Sequence, residues 1–416
     1  MEKKDFTEPV IGFFETIAAA DMEKIHSAII GWIFSENSEI FNSDDKASII
    51  KELLVDKIKS EPYSSFNFNP LKVDVEKDNI DILLTGDKWL IVIENKVKSS
   101  QHSNQLLKYE YLTAKDDKTT NELKEKGQFS DKLTRINIDK KEPFYILLSL
   151  IEEKSNDDNN KWISLTYSKL HEILEKRFNI HPTSENKIIF NSYLNTIKNL
   201  SDVLTAFRNK HQDYKFVFIE NTTDSSDIPF YSYIKKLRLE TILQKAFYLQ
   251  LKTKISDFLE LSGYNISYNV SETRGNALID IYFNEINIKG IRIGGYKVKP
   301  ILQFQGKAVK LGLGLINEEK TRTKISIEDL KKLKQEYAQL LLNSNKFSSI
   351  LKSNKQTSTE KVEEIGKKLS NPKLYNGFIS YPLNETNDYW QFKPGYEEFV
   401  KEKIEEARII FQELAS

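Results

Sequence analysis

Met22, Ile25, Ile29, Trp32 and Ile33 recur at helical spacing, so residues 21–34 are predicted to form an amphipathic helix, with a second over 46–59. The pattern then shortens. Residues 71–75 alternate, and the runs 79–85 and 89–94 flank the turn residues Gly86 and Asp87, which predicts three strands in an antiparallel meander. Ser99-Ser100 is a helix start, and 101–113 follows as a helix. The charge-dense stretch 115–142 reads as an exposed excursion containing a partial helix. After it come a compact apolar strand at 144–151, a polar loop at 154–160 and helices at 167–177 and 187–208.

The tract Asn221 to Pro229 is polar and turn-rich, and it divides the chain into domains 1–225 and 226–416. Past it the pattern predicts a helix over 234–261, strands at 264–270, 277–283, 286–293, 298–305 and 308–315, and helices at 327–342 and 396–414. The expected architecture is an α/β core, a mixed sheet flanked by helices, followed by a second α+β domain.

A chain of 416 residues suits two domains, and 39% hydrophobic with 29% charged residues is an ordinary folded composition. No run approaches the ~18 apolar residues that span a bilayer, and the opening Met-Glu-Lys-Lys-Asp lacks the apolar core of a signal peptide. The expected location is the cytoplasm, with no membrane partner. Zero cysteines exclude disulfides and thiolate zinc sites, and five scattered histidines argue against a histidine-rich centre. Any metal should be held by oxygen. The 61 basic and 61 acidic residues cancel, so local patches would have to supply any attraction to phosphate.

Ile93-Glu94-Asn95-Lys96 closes the apolar run from Trp89, and Asp81 lies on the preceding strand. Acids and a lysine at the ends of buried strands are costly without partners, and a divalent cation with a phosphate would satisfy both. On a strand, residues two apart share a face, so Glu94 and Lys96 project together while Ile93 and Asn95 face the other way. If the hairpin register sets Asp81 beside Glu94, the two carboxylates can share Mg²⁺ or Mn²⁺, with Lys96 orienting or deprotonating a water or holding the phosphate. Asp81, Glu94 and Asn95 are the candidate metal ligands.

This stretch resembles the PD-(D/E)XK nuclease superfamily, whose acid, hairpin and E-x-K triplet match Asp81, Glu94 and Lys96; Ile80 stands where the superfamily name has proline. Glu23 with His26-Ser27, Ile80-Asp81-Ile82, Ile93-Glu94-Asn95-Lys96 and Gln105-Leu106 with Tyr109 are similar to a bacterial uncharacterised branch of it, over roughly residues 10–175. The resemblance implies a restriction-endonuclease-like core and a metal-dependent endonuclease acting on nucleic acid, DNA ahead of RNA, in a setting such as phage defence. It also implies that Glu23 adds an acid from the preceding helix and Gln105 a catalytic glutamine from the following one. His26, three residues after Glu23, is a candidate phosphate contact. Gln101, Gln105 and Tyr109 lie four apart on one helix face with Lys108 close by, so Gln101, Lys108 and Tyr109 join His26 as candidate substrate contacts.

The second domain carries Arg274, Arg292, Lys297, Lys299, Lys307 and Lys310 along its strand-like runs. They read as a solvated sheet face before a phosphate-binding one. Two other readings stay open: a catalytically silent module that grips nucleic acid or a partner protein, and an RNA-cleaving enzyme. Cutting both strands would favour a homodimer.

Overall fold

The computed structural model describes residues 11–59, 63–97, 105–130, 141–152, 161–178, 186–219, 228–273, 276–288, 296–317, 327–351, 357–370, 378–384 and 389–415. It also describes the isolated positions 9, 133, 135, 136 and 138. The chain divides into two compact units, Met1–Lys210 with Thr223–Ile242, and His211–Thr222 with Leu243–Ser416.

The first unit opens with α1 (Phe13–Thr16), α2 (Glu23–Phe34) and α3 (Ser43–Leu53), the last capped by Asn42, whose side chain accepts the Asp45 N–H at 2.8 Å. Strands β1 (Lys72–Lys77), β2 (Ile80–Thr85) and β3 (Trp89–Lys96) form the antiparallel meander that the pattern predicts. Asp78 and Asn79, both at positive φ, make the two-residue turn between β1 and β2 and pair Lys77 with Ile80. Gly86 lets the Trp89 ring fold beneath the β2–β3 turn, where a Cβ would meet that ring at 2.2 Å. The Trp89 indole N–H donates to the Asn67 carbonyl at 2.6 Å. Every residue of β3 is buried.

Helices α4 (Gln105–Leu112) and α5 (Asp117–Gly127) lead to β4 (Glu142–Ser149) and β5 (Trp162–Thr166), which continue the sheet in parallel beyond β3. The strand order is β1-β2-β3-β4-β5, a mixed sheet. Leu83, Leu90, Val92, Tyr145, Leu147 and Trp162 on one face pack with Tyr109 and Leu112 of α4 and Leu123 of α5. Helix α2 lies against β1, β2 and β3, and α6 (Tyr167–Phe178) and α7 (Lys187–Lys210) pack together and complete the unit with α8 (Tyr231–Leu237). Helix α2 approaches the sheet closely through Gly31, where an added Cβ would stand 2.3 Å from Val75 Cγ2.

Helix α9 (Glu240–Leu261) begins in the first unit and ends in the second. The continuous helix expected over 234–261 is two, because Arg238 turns left-handed at φ 55°. The second unit holds an antiparallel sheet in the order β10-β9-β8-β7-β6, from β6 (Ile266–Thr273), β7 (Asn276–Phe283), β8 (Tyr296–Gln305), β9 (Ala308–Asn317) and β10 (Phe378–Pro382). Its other elements are α10 (Ile327–Asn343), α11 (Asn345–Ile350), α12 (Ser358–Lys368) and α13 (Tyr396–Ala415). The strand expected at 286–293 does not form where it is described: residues 286–288 are irregular, with Ile286 and Ile288 buried, and 289–293 lie outside the described residues. Among the described residues, no helix is long and apolar enough to cross a membrane.

Residues 211–219 group with the second unit through specific contacts. His211 meets the Gln391 carbonyl at 3.2 Å, Gln244 donates to the Val217 carbonyl at 2.7 Å, and Phe218 packs edge-on to Phe247. Tyr233 ties 223–242 to the first unit by donating to Glu15 at 3.0 Å. The units are therefore interleaved in sequence between 211 and 242, which the polar tract alone does not reveal.

Gly31→Val should lower stability by about 1–3 kcal/mol, because a branched side chain must push α2 off Val75. Thermal melting of the purified variant checks this.

Candidate active site

Pairing of Ile82 with Ile93 places Asp81 and Glu94 opposite each other one step further along the hairpin, on a common face. Glu94 and Lys96 share that face by strand alternation, and the Lys96 ammonium contacts a Glu94 carboxylate oxygen directly. Glu94 is fully buried and Lys96 nearly so. Tyr109 of α4 brings its hydroxyl against Glu94, and Gln105 donates to that hydroxyl at 3.2 Å. Asp81, Glu94, Lys96, Gln105 and Tyr109 thus converge at the end of β3.

Electrostatics follow from this convergence. Burial, then the neighbouring Glu94 charge, push the Asp81 carboxyl up to about 7, while the Asn95 N–H that donates to Asp81 Oδ2 at 2.7 Å works in the opposite direction. Burial opposes the charge on Lys96, yet Glu94, with Glu23 and Asp81, more than offsets it and holds the ammonium above its ordinary range. Burial and the two carboxylates raise Tyr109, so its phenol stays protonated.

Glu23, the first residue of α2, reaches the same strand end from the other side. Its carboxylate accepts the Val97 N–H at 2.9 Å, and its main-chain carbonyl accepts from the Asn95 carboxamide at 2.9 Å. Lys108 is half-buried on α4, and Gln101 lies outside the described residues.

Two expectations change. The Asn95 side chain is not directed at the acids: its Nδ2 donates to the Glu23 carbonyl and to Ser27 Oγ at 3.0 Å, and its Oδ1 accepts from Tyr167 at 2.5 Å. These bonds use the carboxamide on the opposite face of β3, so it is not placed as a metal ligand. His26 is an interior group rather than a phosphate contact. Its Nε2 bonds the Ala20 carbonyl at 2.8 Å, its Nδ1 meets the Tyr193 hydroxyl at 3.3 Å, and burial lowers it to about 4. A neutral histidine with both nitrogens engaged cannot neutralise phosphate.

Tyr167 and Ser27 went unidentified as supports. The available signal was Asn95 itself, since an amide within a wholly buried strand must find partners.

No group of three His, Cys, Asp or Glu side chains placed to hold a metal ion occurs among the described residues. Two carboxylates on one face, one of them raised by burial and by the charge of the other, suit a hard ion that completes its shell with water and substrate oxygens. A separate cavity of about 300 Å³, lined by Glu110, Thr113, Lys115, Glu142, Tyr145 and Lys161, lies where β4 begins and contains none of these groups.

Two carboxylates and an ammonium at one strand end are groups that can hold a hard cation against a phosphate ester. Residues 11–195 match the family model described as the PD-(D/E)XK nuclease superfamily, in line with the resemblance drawn from the Asp81, Glu94 and Lys96 pattern. No curated protein and no solved structure matches the chain.

The folded Asp81 binds its proton more tightly than an unfolded carboxyl near 3.8. Its contribution to stability is therefore present below about pH 4 and lost as pH rises to about 7. In chelator, Asp81→Asn should stabilise the protein by about 2–4 kcal/mol at pH 8 and hardly at all at pH 4. Denaturant melts at both pH values measure this.

Proposed function

We propose that the first unit is a Mg²⁺- or Mn²⁺-dependent endonuclease that hydrolyses phosphodiester bonds in DNA, and that the second unit recognises substrate, partner or signal. The observation that carries this reading is the placement of Asp81 opposite Glu94 with Lys96 on the same face. The match of residues 11–195 to a nuclease-superfamily model supports the reaction class.

Asp81 and Glu94 would hold the ion. When bound, it supplies charge neutralisation at phosphate and acidifies a water. Asp81 offers Oδ1 as its second acceptor, since the Asn95 N–H engages Oδ2. Lys96 acts as an ammonium, because its raised pKa keeps the proton on, and it is suited to gripping a phosphate oxygen once it leaves Glu94. Gln105 and Tyr109 keep the Glu94 side of the site ordered and present polar groups to the substrate backbone. Glu23 fixes the strand end through Val97.

The direct Lys96–Glu94 contact favours one second reading, in which the site is closed and the protein grips nucleic acid without cutting it. RNA satisfies the same phosphate chemistry as DNA. A cytoplasmic phage-defence role, with a homodimer providing one site per strand, follows from the likeness to restriction-type nucleases.

Plasmid, single-stranded DNA and RNA, each incubated with Mg²⁺, Mn²⁺ or chelator, should show metal-dependent cleavage of DNA. Asp81→Ala, Glu94→Ala and Lys96→Ala should each reduce it by at least ~10³-fold. In chelator, circular dichroism should show all three variants folded, with Lys96→Ala melting below the wild type because it leaves the buried Glu94 without its ammonium. Undiminished cleavage by all three rejects the assignment, and metal-independent binding with no product supports the silent module.

A further inference from the structure

The buried carboxamide of Asn95 stands directly behind the acids, and its bonding is fully determined by its neighbours. The Glu23 carbonyl can only accept, so Nδ2 must face it; Oδ1 can only accept, so the Tyr167 hydroxyl must donate to it. Ser27 Oγ takes the second Nδ2 hydrogen. Asn95 and Tyr167 are wholly buried, so none of these bonds is exchanged with water. The same residue's main-chain N–H donates to Asp81 Oδ2, and its two sequence neighbours are Glu94 and Lys96. One side chain therefore sets the orientation of the peptide that touches one acid and carries the other.

We propose that Tyr167 is a positioning residue for the cation-holding pair, acting through Asn95 as an interior latch. This rests on the reading of Asp81 and Glu94 as that pair. Tyr167 is the first residue of α6, immediately after β5, so the latch ties the end of β3 to an element two strands away in the sheet. Ser27 and the Glu23 carbonyl tie the same carboxamide to α2. Removing the Tyr167 hydroxyl leaves Oδ1 buried without its donor and frees the carboxamide to turn, which loosens the Asn95 N–H on Asp81. Groups placed behind a ligand in this way commonly change metal affinity while the ligands themselves stay in place.

Tyr193 supplies the control. Its hydroxyl is equally buried on the same side of the sheet, but it bonds His26 rather than Asn95. The Tyr167→Phe and Tyr193→Phe variants each lose one interior hydroxyl and should lose similar melting temperature. Calorimetric titration with Mn²⁺, without nucleic acid, should show affinity weakened about tenfold in Tyr167→Phe and within twofold of wild type in Tyr193→Phe. Ser27→Ala, which removes an acceptor from the same carboxamide, should weaken affinity in the same direction and carries the test if Tyr167→Phe does not fold. Unchanged Mn²⁺ affinity in the latch variants, or an equal loss in the control, overturns the latch. Asp81→Ala in the same titration separates the premises: wild type that binds no Mn²⁺, or binding that survives this substitution, removes the cation-pair reading and the latch together. Binding lost in Asp81→Ala but untouched in Tyr167→Phe and Ser27→Ala removes only the latch.

Discussion

Two carboxylates facing each other across a β-hairpin, inside a sheet buried on both sides, is the constraint to which the rest of the first unit responds. Such a pair is unfavourable twice over, through desolvation and mutual repulsion. Lys96 against Glu94, and the Asn95 N–H on Asp81, offset part of that cost. Glu15 shows how the same unit treats a carboxylate that serves structure alone. It is fully buried, yet it accepts from the Gly12 N–H, Thr196, Asn199 and Tyr233. Neutral donors surround Glu15, whereas Asp81 accepts from the Asn95 N–H and is pushed up to about 7 by burial and the neighbouring Glu94 charge. The difference between a carboxylate saturated by hydrogen bonds and one left wanting a cation separates a structural acid from a candidate ligand.

The chemistry-bearing residues were legible because they interrupt an otherwise apolar pattern. Glu94 and Lys96 end an apolar run on a strand, and alternation alone put them on one face. The hairpin register was not readable, since the β2–β3 connection does not announce its own geometry; the structure supplied it through Thr85 opposite Leu90. His26 was misread because a helical stripe does not say which neighbour covers it. It turns to Ala20 and Tyr193, groups far apart in sequence or outside any repeating pattern. The break at Arg238 was invisible for a related reason: a left-handed residue among good helix formers leaves no compositional mark. Strand β5 has only five residues and alternates weakly, and β10 is an equally short edge strand, so periodicity was too brief to detect either.

The basic residues of the second unit illustrate how a charge pattern changes meaning once partners are known. Lys310 donates to Gln303 at 3.1 Å and to Gln305 at 2.8 Å, and Gln303 in turn donates to Asp280 at 2.9 Å. The register sets Asp280, Gln303 and Lys310 in one row across three strands. Lys299 lies over the Tyr282 ring at 4.5 Å. Lys310 belongs to a half-buried polar network in which amides separate the acid from the ammonium, and Lys299 is held against an aromatic face. Such a row is more than a solvated face, but its charges are already engaged, so it lends no direct support to phosphate neutralisation.

In the first unit, strand alternation divides the work of β3 between its two faces. Glu94 and Lys96 face α4, where the proposed cation site lies, and Asn95 faces α2 and α6, where only satisfied polar groups are tolerated. A helix would spread three consecutive residues around its circumference and could not set a fixed anchor directly behind two reactive groups. Because all eight residues of β3 are buried, displacement of the anchor has little room to dissipate into solvent. It is passed instead to the residues on either side of Asn95 in sequence, which are the acid and the lysine, and through its N–H to Asp81 on the neighbouring strand.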